Sequence, residues 1–226
     1  MRDLLIEAAF ELFGEQGFDG TTIDDIVGRA GVGRRSFFRY FPSKEDVVFP
    51  DHERCLEELK AFLRAPGQGG DPVERACEAT LLVARMYAER PDRSLLRYRL
   101  TRDVPALRDH ELTVIRRYER ALAGYLREAF AFRPDGALQA DIVAAAATAA
   151  HNHALRSWLR SGASGDAVAS ANAALTLVRK GWGAPLPEPE DYVVLVTRSR
   201  APIGHVAQHV EDALARISLD CADRHP

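Results

Sequence analysis

The chain has 226 residues, 46% apolar and 28% charged, with 30 basic and 33 acidic side chains for a net charge of −3. That is globular composition, which excludes a mainly disordered chain, and no apolar run approaches the roughly 20 residues that span a bilayer. The slight acidity removes any global hint of nucleic-acid binding but leaves room for a local basic patch.

Helical periodicity dominates from the start. Leu5, Ala8, Ala9, Leu12 and Phe13 form a first apolar stripe, which Gly14 and Gly17 stop. A second helix starts at Thr22, with Asp25 three residues on as an acidic capping box, and Gly31 breaks it. A third short helix runs from about Gly33 to Tyr40 and ends before Pro42. Ser43 caps a long fourth helix, Lys44 to about Arg64. Ala65 to Asp71 reads as a loop. Helices follow at about 72–89, 92–102, 105–132, 136–161 and 166–182, with Pro91, Pro105, the R-P-D-G turn and the S-G-A-S-G loop as stops. Beyond Trp182 comes a proline-rich spacer, a strand signal at Tyr192–Thr197 and an amphipathic helix from Ile203 to Ile217. The expected architecture is all-α. Residues 1–48 form a three-helix helix-turn-helix domain, 49–183 a helical ligand-binding and dimerisation domain, and 184–226 a strand–helix extension.

The chemistry concentrates in residues 21–46. A helix-turn-helix needs a small residue at its turn and apolar side chains to lock the helices. Gly31 supplies the turn, and Ile26, Ala30, Val32, Phe37 and Phe41 the lock. Residues 26–44 carry five basic side chains and no acid, although the first 64 residues carry 9 basic and 13 acidic. Arg34 and Arg35 stand on the first turn of the third helix, where arginine can pair with guanine O6 and N7. Gly33 lets that helix approach closely. Ser36, Arg39, Tyr40 and Lys44 suit phosphates, and Thr22 offers a backbone N–H to one. The blander alternative is three packed helices with solvated arginines.

These residues resemble the TetR family of bacterial transcription regulators. The resemblance is carried by A-A-x-x-L-F-x-x-x-G-F at 8–18, T-T at 21–22, I-x-x-x-A-G-V at 26–32 and F-F-R-Y-F-P-S-K-E at 37–45. It implies a cytoplasmic homodimer that binds a palindromic operator in double-stranded DNA, a long fourth helix leading to a ligand domain, and repression relieved by a small-molecule effector. The chain departs from the family pattern at Phe38, often tyrosine, and at Arg35, often small. It also starts so near the first helix that no basic arm is expected ahead of it. Shorter runs, R-Y-R-L-T-R-D-V-P-A-L at 97–107 and A-L-R-S-W-L at 154–159, resemble the ligand domain of mycofactocin-type, acyl-CoA-responsive regulators.

Within 72–182 the candidate ligand-binding residues are Met86, Tyr87, Leu100, Tyr118, Leu122, Asn152 and Trp158, amphipathic or apolar groups on the middle helices, together with Arg97. Each also has a plain core or surface explanation. Arginines at 97–102, or Arg116 and Arg120, could meet a coenzyme's phosphates. Alanine-rich 136–161 suits a bundle with a partner subunit. His151 and His153 point different ways on a helix, and His52 with Cys55 lacks further ligands, so neither metal nor cofactor is expected. Cys55, Cys77 and Cys221 are widely spaced and odd in number, which argues for a reducing compartment. No catalytic frame is recognisable, although a helical binding protein or enzyme whose first 50 residues only resemble a DNA-binding domain stays open. Heparin retention that falls steeply with salt would separate the two.

Overall fold

The computed structural model describes residues 1–66 and 70–183. The strand and helix expected within 184–226 lie outside those residues. Ten helices and no strand occur among the described residues: α1 (Arg2–Gln16), α2 (Ile23–Arg29), α3 (Arg34–Tyr40), α4 (Lys44–Val48), α5 (His52–Arg64), α6 (Pro72–Glu89), α7 (Pro91–Asp103), α8 (Pro105–Ala129), α9 (Gly136–Arg160) and α10 (Ala167–Trp182).

Local chemistry sets these boundaries. The Thr22 hydroxyl accepts from the Asp25 N–H at 3.1 Å, and the Asp25 carboxylate accepts from the Thr22 N–H at 2.9 Å. This reciprocal pair fixes the start of α2. Gly31 then adopts φ +66°, a left-handed conformation that glycine enters without a Cβ penalty, and the chain turns into α3. Gly14 does not stop α1, which continues to Gln16. One glycine inside a helix costs only about 1 kcal/mol, and burial of Leu12 and Phe13 outweighs that.

The expected long fourth helix is two helices. Pro50 has no N–H and its ring would clash with the Asp46 carbonyl, so α4 ends at Val48 and α5 begins at His52. Pro72, Pro91 and Pro105 act in the opposite sense. Each is the first residue of its helix, where the missing N–H would have had no partner.

The N-terminal core gathers Leu5, Ile6, Ile26, Phe37, Val47 and Val48, all 1% exposed or less. Leu100 and Leu107 from the helical body join it. Arg93 of α7 ties the two regions further, 2.6 Å from Glu7 and stacked 5.1 Å from the Phe10 ring centre. In the body α6 packs on α5, α8, α9 and α10. Leu59, Cys77, Leu122, Leu126, Val143 and Leu175 fill its core. Ala140, Ala144 and Ala147 are wholly buried there, so the alanines of α9 first serve close packing inside the subunit.

At the start of α9 the backbone of Gly136 runs so close to the Phe130 carbonyl that a Cβ would overlap its oxygen. Gly136→Ala should therefore lower unfolding free energy by about 1–3 kcal/mol, as overpacked sites do. Urea denaturation checks this, and an unchanged midpoint would show that the α8–α9 turn relaxes freely.

Candidate functional site

Two regions carry functional side chains. The first is the exposed face of α2 and α3. Arg35 is exposed and makes no hydrogen bond or ion pair among the described residues. Arg34 is exposed too, but its Nη1 lies 2.9 Å from both carboxylate oxygens of Asp24. Such a surface pair is worth at most about 1 kcal/mol, so a guanine or phosphate could displace it. Arg39 lies over the Tyr40 ring at 4.7 Å and donates to the Tyr40 hydroxyl at 3.0 Å. Ser36 stands on the same turn with its hydroxyl unbonded among the described residues, and Gly33 is the N-cap of α3.

Two expected phosphate contacts sit elsewhere. The Lys44 ammonium donates to the Phe18 and Thr21 carbonyls at 2.7 Å each and stacks on the Phe18 ring at 4.1 Å. It staples the α1–α2 loop to α4 instead of facing outward. The Thr22 N–H is consumed by Asp25. Arg29, counted in the basic patch, is held by Glu11 and Glu15 of α1 at 3.3 and 2.8 Å. Phe38, by contrast, is 47% exposed, with the Arg34 guanidinium 5.8 Å from its ring centre. Its spacing of four from Arg34 and three from Arg35 was the sequence signal for it.

The second region is a cavity of about 320 Å³ bounded by Phe49 and by α5 to α9. That is near the lower end of small-molecule sites, roughly 300–1,000 Å³. Leu59, Val83, Val114, Ile115, Leu122, Leu155 and Leu159 give it apolar walls. Of the residues expected to bind a ligand, Tyr87, Tyr118, Leu122 and Asn152 line it. Met86, Arg97, Leu100 and Trp158 do not. Met86 is buried in the body core and Leu100 in the N-terminal one. The Trp158 indole N–H is spent on the Gly165 carbonyl at 3.1 Å. Arg97 is buried behind the wall, its guanidinium 4.2 Å from the Tyr87 ring centre.

The inner wall holds a defined hydrogen-bond network. Tyr118 donates its hydroxyl proton to the His52 carbonyl at 3.0 Å and so accepts from His52 Nδ1–H at 3.1 Å. His52 Nε2 is then left as acceptor for the Tyr87 hydroxyl at 3.3 Å. The network therefore selects the Nδ1–H tautomer. Burial, assisted by the nearby Arg97 charge, holds the His52 pKa well below the ordinary value, so the ring is neutral. Burial alone pushes His151 down to about 4. His151 and Thr148 both line the cavity, whereas His153 is exposed on another face of α9.

The rim is cationic. Arg102, Arg108 and Arg156 are exposed at the cavity edge, and Glu111 lines the same cavity with its pKa raised by burial. Arg102 is paired with Asp103 at 2.8 Å, while Arg108 and Arg156 make no salt bridge among the described residues. Arg116 and Arg120 form a separate shallow surface with Thr113 and Glu119. The sequence pattern points to the arginines at 97–102 and 116–120 and not to Arg108 and Arg156. The i, i+4 row Thr148, Asn152, Arg156 could have revealed the latter.

Phe49 connects the two regions. It belongs to the N-terminal core and lines the cavity. His110 of α8 stacks on it at 5.0 Å, and His110 Nε2 lies 3.7 Å from Asp46 of α4.

The profile of bacterial regulatory proteins of the tetR family matches residues 5–49, and that of the MftR C-terminal domain matches residues 71–183. The HTH-type transcriptional regulator HbdR of Aromatoleum sp. (strain CIB) is 30% identical over 127 residues, 54% of this chain and 56% of that protein. The putative mycofactocin biosynthesis transcriptional regulator MftR of Mycobacterium tuberculosis is 28% identical over 121 residues, 53% of this chain and 61% of that one. The chain thus spans little more than half the length of these curated relatives. The crystal structure of Thermus thermophilus FadR, a TetR-family repressor in complex with lauroyl-CoA, superposes with a TM-score of 0.52 at 25% identity, covering 89% of this chain and 99% of that one.

The neutral histidines make stability depend on pH. A histidine whose pKa is lower folded than unfolded binds fewer protons when folded. Its contribution is complete above about 6.5 and declines as pH falls toward the folded value. Between pH 7 and pH 5 the wild type should therefore lose about 2 kcal/mol more than His151→Leu, read from urea melts at both pH values. Equal losses in the two proteins would place the pH sensitivity elsewhere.

Proposed function

The chain belongs to the TetR family of bacterial regulatory proteins, and from that premise we propose that it is a homodimeric, sequence-specific DNA-binding repressor released from its operator by an amphipathic ligand, an acyl-CoA. As a regulator of DNA it works in the cytoplasm, and it is not an enzyme. We place the boundary between the DNA-binding and ligand domains at 48–49.

DNA recognition falls to the exposed end of α3. Arg35 and Phe38 face outward, Arg34 joins them once it leaves Asp24, and Ser36, Arg39 and Tyr40 take phosphates. Dimerisation falls to the outer stripe of α9 and the neighbouring face of α10. Leu138 and Ile142 are 61% and 42% exposed on one helical face with Ala149, and Leu177 is 73% exposed on α10. An isologous contact through that stripe would bury these side chains and set the two copies of α3 on half-sites of a palindrome.

The observation that carries ligand control is Phe49, shared between the N-terminal core and the cavity wall. An occupant that displaces Phe49 also moves α4 through His110 and Asp46. Apolar walls suit an acyl chain, and Arg102, Arg108 and Arg156 suit the phosphates of its coenzyme outside. The lauroyl-CoA complex of the Thermus protein supports this ligand class. Release can be no larger than the ligand's preference for the conformation that does not bind DNA.

Selection from random DNA followed by titration tests the DNA half. Arg35→Ala should cost about 1–3 kcal/mol on the selected site and relax base preference at one position. Lys44→Met should leave the slope of log affinity against log salt unchanged and instead lower stability by about 1.5–3 kcal/mol. An Arg35 variant with wild-type preference would sink the recognition assignment.

Titrating the DNA complex with acyl-CoAs of rising chain length tests the ligand half. Release should strengthen with length until the cavity is full, and then weaken. A response indifferent to length would instead mark headgroup competition with DNA.

A further inference from the structure

We propose that the cavity is built for an acyl group carrying an uncharged hydrogen-bonding function, a hydroxyl or a carbonyl, held by Thr148 and His151 of α9. This rests on the acyl-CoA reading of the same cavity and names the kind of chain within that class.

The cavity's polar residues divide into those already bonded and those that are not. The Thr80 hydroxyl donates to the Ala76 carbonyl one turn back, at 2.8 Å, as helical threonines commonly do. The two nitrogens of His52 are both taken by tyrosine hydroxyls. Thr148 Oγ1 and both ring nitrogens of His151 have no partner among the described residues, although Thr148 is only 9% and His151 5% exposed. Buried polar groups are nearly always satisfied, because each unmade bond costs on the order of 1–3 kcal/mol. Both residues line the cavity from adjacent turns of one helix, so one occupant can reach both.

The chemistry of that group follows from its surroundings. A neutral imidazole offers one donor and one acceptor, and a threonine hydroxyl offers both. A hydroxyl or carbonyl can use this set without carrying charge into the cavity. A carboxylate would have to be desolvated there against a neutral ring. The charged end belongs outside. Arg156 is exposed on the same helix, eight residues after Thr148 and five after His151, about 12 Å and about 7.5 Å of helical rise from them. The ligand is therefore anionic at the rim and polar again at depth, with apolar walls between.

Isothermal titration of the full-length protein with octanoyl-CoA and its 5- to 8-hydroxy derivatives tests this. At least one hydroxylated ester should bind the wild type about tenfold tighter than octanoyl-CoA, since a site built to bond a hydroxyl discriminates against the analogue lacking it. Thr148→Val and His151→Leu should each bring that ratio toward one. At pH 7.5, ligand-free Thr148→Val and His151→Leu should melt at or above the wild-type temperature. Equal binding of all the esters, or variants that keep the preference, would overturn the proposal and leave the acyl-CoA reading standing. Variants that melt several degrees lower would overturn it too, by showing these groups already satisfied in the folded protein. If no ester binds, the acyl-CoA reading fails and this proposal fails with it.

Discussion

Pro50 cannot donate a backbone hydrogen bond, so the helix leaving the N-terminal domain must stop and restart. That constraint sets the relation between the two functional regions. The restart puts His52 on the first turn of α5, where its ring is held by Tyr118 and Tyr87 and its carbonyl by Tyr118 again. The stop leaves Phe49 facing two ways, into the N-terminal core and onto the cavity. A continuous helix from Lys44 to Arg64 would carry Phe49 and His52 on adjacent turns of one rod. The break instead makes a joint whose two sides are fixed by different networks, ring stacking on His110 on one side and tyrosine hydroxyls on the other.

The proposed DNA face follows a similar logic of preoccupied side chains. Five cations stand between residues 26 and 44, but the fold spends several of them internally. Lys44 bonds backbone carbonyls, Arg29 is clamped by two glutamates of α1, and Arg34 rests on Asp24. Of the five, Arg35 alone is without a partner among the described residues, and Arg39 engages Met1 and the neighbouring Tyr40. The exposed ion pairs are cheap to exchange. The carbonyl-bound ammonium is not, because releasing it strands two acceptors of a tight loop.

Much of this was legible in the sequence, for identifiable reasons. The capping box at Thr22 and Asp25, the glycine turn at Gly31 and the 3.6-residue stripes are local signals, and the structure repeats them. The break at Pro50 was equally local, but the apolar period runs across it. The prolines at 91 and 105 announce helices as much as they end them, and only position relative to the cap tells which. The cavity was half legible. Tyr87, Tyr118, Leu122 and Asn152 come from the correct faces of their helices. Trp158, Met86 and Leu100 look equally suitable in sequence, and which of them faces core or cavity depends on how α6 to α9 cross. His52 and His151 invited a metal reading because pairwise spacing was the only information present. Their actual roles depend on tyrosines as far as 66 residues away and on the walls of the cavity.

The same geometry separates choosing a ligand from responding to it. Thr148 and His151 lie on α9, a helix that packs chiefly on α6, α8 and α10. Bonds made to them strengthen binding in whichever conformation the protein adopts, and binding that is equal in two states shifts neither. Phe49 differs, because its position is part of the N-terminal core. An occupant in contact with it favours one placement of α4 over another. Coupling free energies of about 1–3 kcal/mol are typical of such switches. A displaced aromatic side chain and an altered His110–Asp46 contact are of sufficient size to supply that. On the proposed reading, selectivity and response draw on different walls of one cavity, so the chemistry of the bound group could change at α9 without disturbing the joint that reports its presence.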